Sequence, residues 1–140
     1  MILSGLLAGA LLAIMLGFDT KRFSFPSYLE QQQNIIKAFN VIMPLLGLAV
    51  IILTIVSAFS QKSNKPIFVS LLIAALLLIV SGLITRFGNQ PINATVMTWS
   101  ANAEPPNWSL LRDKWLNLHI IRTALSFFAF CMIGWCSLKK

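Results

Sequence analysis

Residues 93–122 read NATVMTWSANAEPPNWSLLRDKWLNLHIIR, and this stretch decides how the whole chain is expected to fold. It contains a polar segment, three of the four tryptophans and the only histidine, His119. If its last part is helical, the mostly apolar run after Arg122 has about 14 residues and covers about 21 Å, short of the roughly 30 Å hydrocarbon core of a bilayer. A helix that crosses a membrane here must therefore carry Arg122 and His119 below the membrane surface.

One face of this predicted helix is polar. Arg112, Trp115, His119, Arg122 and Ser126 are spaced three or four residues apart, so they share one helical stripe. Ionisable groups within a membrane cost several kcal/mol and normally face a protein interior or a wet cavity. We therefore expect the stripe to point into the protein. The alternative is that the Arg122 side chain extends to the lipid headgroups.

The composition is that of a membrane protein. Apolar residues make up 57% of the chain and the mean hydropathy is +0.80, whereas soluble domains have roughly 45–50% apolar residues. The formal charge of +7 comes from basic residues at the ends of apolar runs, where they set topology and meet anionic headgroups. Membrane lipid is therefore an expected partner, and nucleic acid is not. Cys131 and Cys136 point to different faces of one predicted helix and are not placed to form a disulfide.

The apolar runs predict a single all-α domain, residues 1–140, folded as a polytopic membrane protein with a four-transmembrane-helix bundle. Pro44 is expected to kink the second helix and to open a pocket beside it. The predicted helices cover residues 1–18, 27–60, 66–86 and 108–137, and a long structured loop, 87–107, caps the mouth of the bundle.

Four spans place both termini and the Gln61–Lys65 turn on one side of the membrane. Lys62, Lys65, Lys139 and Lys140 lie on that side, and the positive-inside rule makes it cytoplasmic. All four acidic residues and both long connections lie on the other side. We therefore expect an integral protein of the bacterial inner membrane with both termini in the cytoplasm.

The non-cytoplasmic end of the predicted bundle gathers polar and aromatic side chains. Gln33 and Asn40 share a stripe of the second helix and are expected to contact a ligand, with an interhelical hydrogen bond as an equal alternative for Asn40. One histidine without an inward-facing carboxylate or thiol pair does not make a usual metal site, so no metal or other cofactor is expected; haem held by His119 alone is a minor alternative. Tryptophan walls with cationic and amide donors suit a flat, apolar, oxygenated molecule, such as an aromatic compound or a quinone. The predicted set is Gln33, Lys37, Asn40, Arg86, Asn89, Asn93, Trp99, Trp108, Arg112, Trp115, His119 and Arg122.

Part of this set carries a family resemblance. Its pattern consists of Asn93, Trp99, Trp108, Arg112 and Trp115-x-x-x-His119-x-x-Arg122, with Gln32, Gln33 and Asn34 at the start of the second helix. On a four-helix membrane frame, this pattern resembles the anthrone-oxygenase-like family of small integral membrane proteins, many of whose bacterial members have long been grouped as a domain of unknown function. The resemblance implies oxidation of polyketide anthrones to anthraquinones by molecular oxygen, without metal or flavin.

The resemblance also implies roles for individual residues. His119 would act as a general base toward an acidic C–H or O–H group, and Arg122 and Arg112 would hold the resulting oxyanion. Asn93 would orient a substrate oxygen. The structural alternatives are a buried hydrogen-bonding role for His119 and a helix cap or turn at Asn93. The tryptophans would enclose the substrate, with Trp99 and Trp115 stacked on its ring and Trp108 closing the mouth or, alternatively, anchoring the interface.

Three classes of function stay open. The first is a cofactor-independent oxygenase or a related proton-transfer enzyme. The second is a binding or transport protein that holds a lipid or a quinone in the same cavity. The third is a structural subunit whose polar stripe pairs with another chain, including a second copy of this one. A mouth packed solid with side chains and closed by salt bridges from Asp19 or Glu30 would favour this third class.

Overall fold

The computed structural model describes residues 1–17 and 20–139. Six α-helices make up most of this part of the chain, which contains no β-strand beyond one isolated bridge between Ser100 and Ala103. A π-helical turn, Thr85–Asn89, joins the fourth helix to the fifth, and a 3-10 turn, Thr20–Arg22, precedes the second. The all-α prediction is confirmed. The helices are α1 Ile2–Gly17, α2 Phe25–Phe39, α3 Ile42–Ser60, α4 Lys65–Ile84, α5 Gln90–Val96 and α6 Trp108–Leu138.

Three residues that carried predictions lie outside the described part of the chain. Phe18 stands at the predicted end of the first helix, and Asp19 was considered as a salt-bridge partner for the polar stripe. Lys140 belongs to the basic carboxyl terminus that sets the predicted topology.

Three helical stretches are long and apolar enough to cross a membrane. They are Ile42–Ser60, Lys65–Val96 and Trp108–Leu138. α1 is apolar but has 16 residues, so its helical length of about 24 Å is less than the roughly 30 Å hydrocarbon core. The chain is therefore a helical membrane protein with three candidate spans in its described part, and a fourth span remains a prediction.

The predicted second helix, 27–60, is two helices in the structure. α2 ends at Phe39 and α3 begins at Ile42. The reason is Pro44, which lacks an N–H group and would clash with the carbonyl of Asn40 in a continuous helix. Pro44 instead occupies the first turn of α3, where the missing N–H group has no helical partner to lose. The proline thus separates two helices rather than kinking one.

The third predicted helix, 66–86, continues further than expected. The π-helical turn and α5 carry the helical path to Val96, so the first half of the predicted loop 87–107 is helical. Pro91 cannot donate a backbone hydrogen bond to residue 87, and the change of helical register immediately before it removes the need for one. The π-helical turn also brings Gly88 so close to α6 that an added Cβ would lie 2.9 Å from the Leu118 side chain.

The interior of the bundle forms where α1, α3 and α4 pack against α6. α1 runs antiparallel to α6, since Gly5 lies against Phe130 and Leu11 lies against His119. An added Cβ at Gly5 would lie 3.1 Å from the Phe130 ring, so this glycine permits close helix approach. α2 and α5 pack together at the other end, over the first turns of α6. The buried core of the bundle includes Leu7, Leu11, Val50, Leu71, Leu78, Ala129 and Ile133.

Candidate functional site

The polar stripe of α6 points into the protein. Trp115, His119 and Ser126 are buried, and Arg122 is partly buried. Ser81 links α4 to α6. Its hydroxyl shares a hydrogen bond with Ser126 Oγ, 3.0 Å away, and lies 3.1 Å from the carbonyl oxygen of Arg122. The inward orientation inferred from the spacing is therefore found in the structure.

Both ring nitrogens of His119 have partners. Nδ1 lies 3.2 Å from Nε and 2.8 Å from Nη2 of Arg122, and Nε2 lies 3.0 Å from the carbonyl oxygen of Leu11. A guanidinium group only donates, so Nδ1 is the acceptor and Nε2 carries the proton that it donates to Leu11. The ring also stacks on Trp115, with centroids 4.9 Å apart and planes inclined by 5°. His119 is thus a neutral imidazole in a fixed orientation.

Arg122 is held from two sides and keeps donors free. Its Nη1 donates to Thr85 Oγ1 at 3.1 Å, in addition to the two bonds to His119. A guanidinium has five N–H donors, so two remain without a partner among residues 1–17 and 20–139. No carboxylate in those ranges forms a salt bridge with Arg122, Glu30 included. Within the part of the chain that the structure describes, the site therefore presents a cation without a carboxylate partner and with two available N–H donors.

A partly open cavity of about 210 Å³ lies beside Arg122. Its apolar part is formed by α1, α3 and α4, and its polar part lies near the π-helical turn and α6. It is smaller than the roughly 300–1,000 Å³ of sites for drug-sized ligands, so it suits a compact molecule or one end of a longer one. The lining residues are Leu7, Leu11, Met43, Pro44, Gly47, Leu48, Ile51, Leu78, Ser81, Gly82, Thr85, Arg86, Gln90, Arg122 and Ser126.

A smaller cavity of about 40 Å³ shares Arg122 and Thr85 with the larger one. Three of the predicted substrate contacts line it, and they are hydrogen-bonded in series. Trp115 Nε1 donates to Asn93 Oδ1 at 2.8 Å, and Asn93 Nδ2 donates to Asn40 Oδ1 at 3.2 Å. The predicted residues Asn40, Asn93, Trp115 and Arg122 are therefore brought together, and the interhelical bond considered for Asn40 is present.

Among the other predicted residues, Arg86 lines the larger cavity, Asn89 lines the smaller one, and Lys37 is exposed. Trp99, Trp108 and Arg112 form a separate aromatic layer. The Phe25 ring centroid lies 6.1 Å from that of Trp99 and 5.4 Å from that of Trp108. Arg112 lies over Trp108 at 4.9 Å and pairs with Asp113 at 2.9 Å. These side chains line neither cavity described above. Gln33 joins the layer through donation to the carbonyl oxygens of Val96 and Trp99, at 3.1 and 3.2 Å.

Tyr28 also belongs to this layer, because its ring packs against Trp108. The pKa of its hydroxyl group tests whether the layer is buried. The side chain is fully buried, and its hydroxyl has no hydrogen-bond partner among the described residues. Burial raises the pKa of Tyr28 from 10.0 to about 12, with smaller opposing effects of Arg112, which lowers it, and Asp113, which raises it. The folded protein thus holds the phenolic proton more tightly than the unfolded chain, so stability falls as pH rises above about 10.

Tyr28 is the only tyrosine in the chain, so ultraviolet titration of the phenolate reports on it alone. We expect the folded protein to show the phenolate only near pH 12, whereas the unfolded protein titrates near the ordinary value. Tyr28→Phe should remove the alkaline loss of stability and change the free energy of unfolding at pH 7 by less than about 1 kcal/mol, because the hydroxyl has no partner to lose. Titration of the folded protein near pH 10 would show that the ring is hydrated.

Several site residues were not identified from the sequence. Thr85 and Ser81 are hydroxyl residues four apart in an apolar helix, and that spacing was a signal that they share an inward face. Leu11 contributes only its carbonyl oxygen, which leaves no signal in the side chain. Within residues 1–17 and 20–139, no three His, Cys, Asp or Glu side chains gather as a metal-ligand set.

Fold and site together define a helical membrane protein in which an arginine lines the polar end of an apolar cavity and is hydrogen-bonded to a buried histidine that lies behind it. The family model for anthrone oxygenase matches residues 33–132. The chain belongs to the anthrone oxygenase family, and the resemblance seen in the sequence is confirmed. The matched range contains all the predicted site residues and leaves α1 outside. No match was found among the curated proteins or among the solved structures.

Proposed function

We propose that this protein is a membrane-embedded oxygenase that needs no cofactor and acts on an apolar aromatic or quinol-type molecule with an acidic oxygen. The observation that carries the proposal is Arg122, which lines both cavities and, within residues 1–17 and 20–139, has no carboxylate partner and two N–H donors that no side chain or carbonyl accepts. Such donors stabilise a phenolate or enolate oxygen more strongly than the neutral form, particularly where water is excluded. Membership of the anthrone oxygenase family supports anthrones as the substrate class.

In the proposed first step, Arg122 transfers its hydrogen bonds from His119 to the substrate oxygen. This uncovers the Nδ1 lone pair of His119, which then accepts the acidic proton of the substrate. The developing negative charge on oxygen lies against the guanidinium, and the positive charge on the imidazole lies next to both. The Leu11 carbonyl keeps the Nε2 proton in place, so the ring stays oriented while Nδ1 gains its proton.

The second step is reaction of the enolate with dioxygen. The electron-rich ring carbon bonds to one oxygen atom, and the proton on His119 is delivered to the other, which gives a hydroperoxide and restores the neutral imidazole. The carbon then loses its remaining hydrogen as the O–O bond breaks, which forms a ketone and one molecule of water. One anthrone and one dioxygen thus give one anthraquinone and one water. The protein supplies deprotonation, charge stabilisation and a site shielded from water.

The test is oxygen uptake by the purified protein in lipid nanodiscs with anthrone as substrate. We expect saturable consumption of dioxygen with one anthraquinone formed for each dioxygen used. The roles predicted for Arg112, Trp99 and Trp108 remain predictions, since these residues lie in the aromatic layer and reach a substrate only if it displaces that layer. Asn93 and Asn40 are better placed, because both line the smaller cavity.

We also propose that α1 is a fourth span and that both termini are cytoplasmic, in a bacterial inner membrane. α1 packs antiparallel along α6 with Leu7 and Leu11 buried, and its Ile2 and Leu16 are exposed as lipid-facing residues would be. Alkaline phosphatase fused within residues 97–107 should then be active in bacterial cells, and the same enzyme fused after Lys139 should be inactive. The opposite pattern would invert the topology. In a variant without Cys131 and Cys136, an Ile2→Cys thiol should be protected from a membrane-impermeant reagent in intact cells, and labelling there would show that α1 does not span the membrane.

A second candidate is a membrane protein that binds a lipid or a quinone without turnover. It is favoured by the lining of the larger cavity, which contains no aromatic side chain and accepts an acyl or isoprenoid chain as readily as a ring. Mass spectrometry of the purified protein would then detect a retained lipid or quinone, and oxygen uptake with anthrone would not exceed that of empty nanodiscs.

A further inference from the structure

We propose that the ligand reaches Arg122 sideways from the bilayer, through an opening between α3 and α4 at Gly47 and Gly82. The ligand inferred is a lipid-dissolved amphiphile with an apolar body and one acidic oxygen. The inference rests on the proposed function in taking this ligand to be the substrate, but the opening itself follows from the cavity and its surroundings.

The cavity reaches the surface that faces lipid. Leu48 of α3 and Gly82 of α4 both line it, and both are exposed. Their neighbours Leu45 and Leu83 are 61% and 51% exposed, which is the surface expected of a helix in contact with acyl chains. Both helices are candidate spans. A molecule in the bilayer therefore meets the cavity without crossing the aromatic layer at the mouth.

The two glycines are not explained by helix packing. Glycine is less favourable than alanine inside a helix, and the usual compensation in a membrane is close approach of a neighbour, as at Gly5 against Phe130 and Gly88 against Leu118. A Cβ added at Gly47 or Gly82 would meet nothing within 4 Å. The space that side chains at these two positions would occupy belongs to the cavity and its outer edge. We infer that they keep the opening wide enough for a ligand.

The charges of the lining indicate which end of the ligand enters first. Arg122 and Arg86 line the cavity, and none of its lining residues is acidic. Arg86 donates to Gln90 at 3.0 Å near the surface, whereas Arg122 lies deeper, against His119. Away from these groups the lining is largely aliphatic. An acidic or anionic oxygen on the ligand is therefore drawn inward to Arg122 while the apolar body stays between α3 and α4.

The experiment narrows the opening and measures binding without turnover. Gly47→Leu and Gly82→Leu are compared with Gly134→Leu, a matched control on α6 whose added Cβ also meets nothing within 4 Å and which does not line the cavity. Each protein is placed in nanodiscs under nitrogen, and the Kd and association rate are measured for anthrone and for a short-chain ubiquinol analogue. We expect at least tenfold weaker or slower binding for the first two variants and wild-type values for the control.

Thermal unfolding shows whether the variants fold, and unchanged midpoints are expected because the new side chains enter open space. If the leucine variants do not fold, the double variant Gly47→Ala/Gly82→Ala replaces them, with an expected threefold effect on the association rate. The proposed opening would be rejected if the folded glycine variants bound the probes as the wild type does. It would also be rejected if the wild-type protein bound neither probe. Weakened binding without oxygen uptake would leave the opening intact and reject the oxygenase. If oxygen uptake is lost in Arg122→Ala but unchanged in the glycine variants, the oxygenase is supported and the opening is rejected.

Discussion

Arg122→Ala is expected to lower kcat/KM for anthrone oxidation by about 100- to 1,000-fold, the size of effect seen when one oxyanion donor is removed from an active site. In the proposed mechanism, Arg122 stabilises the enolate oxygen and also releases the Nδ1 lone pair of His119, which is the general base. The substitution also leaves His119 Nδ1 without a donor. Oxygen uptake and anthraquinone formation at a series of anthrone concentrations measure the loss.

The fold should survive this substitution. Arg122 is partly buried and has no carboxylate partner within the described part of the chain, which opposes stability. Its bonds to His119 and Thr85 support stability, so we expect a net change of at most about 2 kcal/mol in the free energy of unfolding. Lys114→Ala is the control, because it removes a cation from an exposed position of the same helix. The proposal fails if folded Arg122→Ala keeps more than a tenth of wild-type turnover, or if Lys114→Ala loses as much.

His119→Asn is expected to lower kcat by about 100- to 10,000-fold, the range typical of a lost general base. The asparagine Oδ1 occupies nearly the position of the imidazole Nδ1, so it accepts a hydrogen bond from Arg122 but does not take up a proton at neutral pH. Anthrone binding under nitrogen should therefore change by less than about fivefold, given that the cation is still held in place.

The comparison with His119→Ala separates a chemical role from a structural one. The alanine variant loses both the proton acceptor and the partner of Arg122, so it should lose turnover and binding together. If His119→Asn retained wild-type kcat while His119→Ala did not, His119 would be a positioning residue for Arg122 and the base would lie elsewhere. That outcome would support the buried hydrogen-bonding alternative considered from the sequence.

The inward stripe of α6 was predictable because it depends on two local properties. Helical spacing fixes which side chains share a face, and the short apolar run after Arg122 fixes how deep they lie. These two properties are independent of how the other helices pack. The meeting of Asn40 and Trp115 was anticipated in the same way, since each lies on the polar stripe of its own predicted helix, whereas Asn93 was predicted within the loop 87–107.

The position of the cavity was predicted only in part, because Pro44 lines it as expected but the identity of its walls does not follow from helical spacing. We expected tryptophans to form its walls, but Trp99 and Trp108 pack against Phe25. This aromatic partner lies on α2, and spacing along one helix does not reveal a partner on another. The larger cavity is instead bounded by aliphatic residues of α1, α3 and α4. The space between these helices depends on how they are placed relative to one another. The interruption between α2 and α3 before Pro44 contributes to that placement.

α1 illustrates a contribution that side-chain patterns do not display. It lies outside the range matched by the family model, yet the Leu11 carbonyl oxygen holds His119, and Leu7 and Leu11 line the larger cavity. A backbone carbonyl can come from any residue, and an apolar lining from several. The site is therefore complete only when the first helix is in place.

The central claim is that Arg122 stabilises an oxyanion within the membrane, and the ionisation state of bound anthrone tests it most directly. The enolate of anthrone absorbs at longer wavelength than the neutral ketone, so the two forms can be distinguished in a spectrum recorded under nitrogen. We predict that wild-type protein in nanodiscs shows bound enolate at a pH where free anthrone is neutral, and that Arg122→Ala shows only the neutral form. Bound anthrone that stays neutral in the wild type, or ionises equally in the variant, would contradict the account.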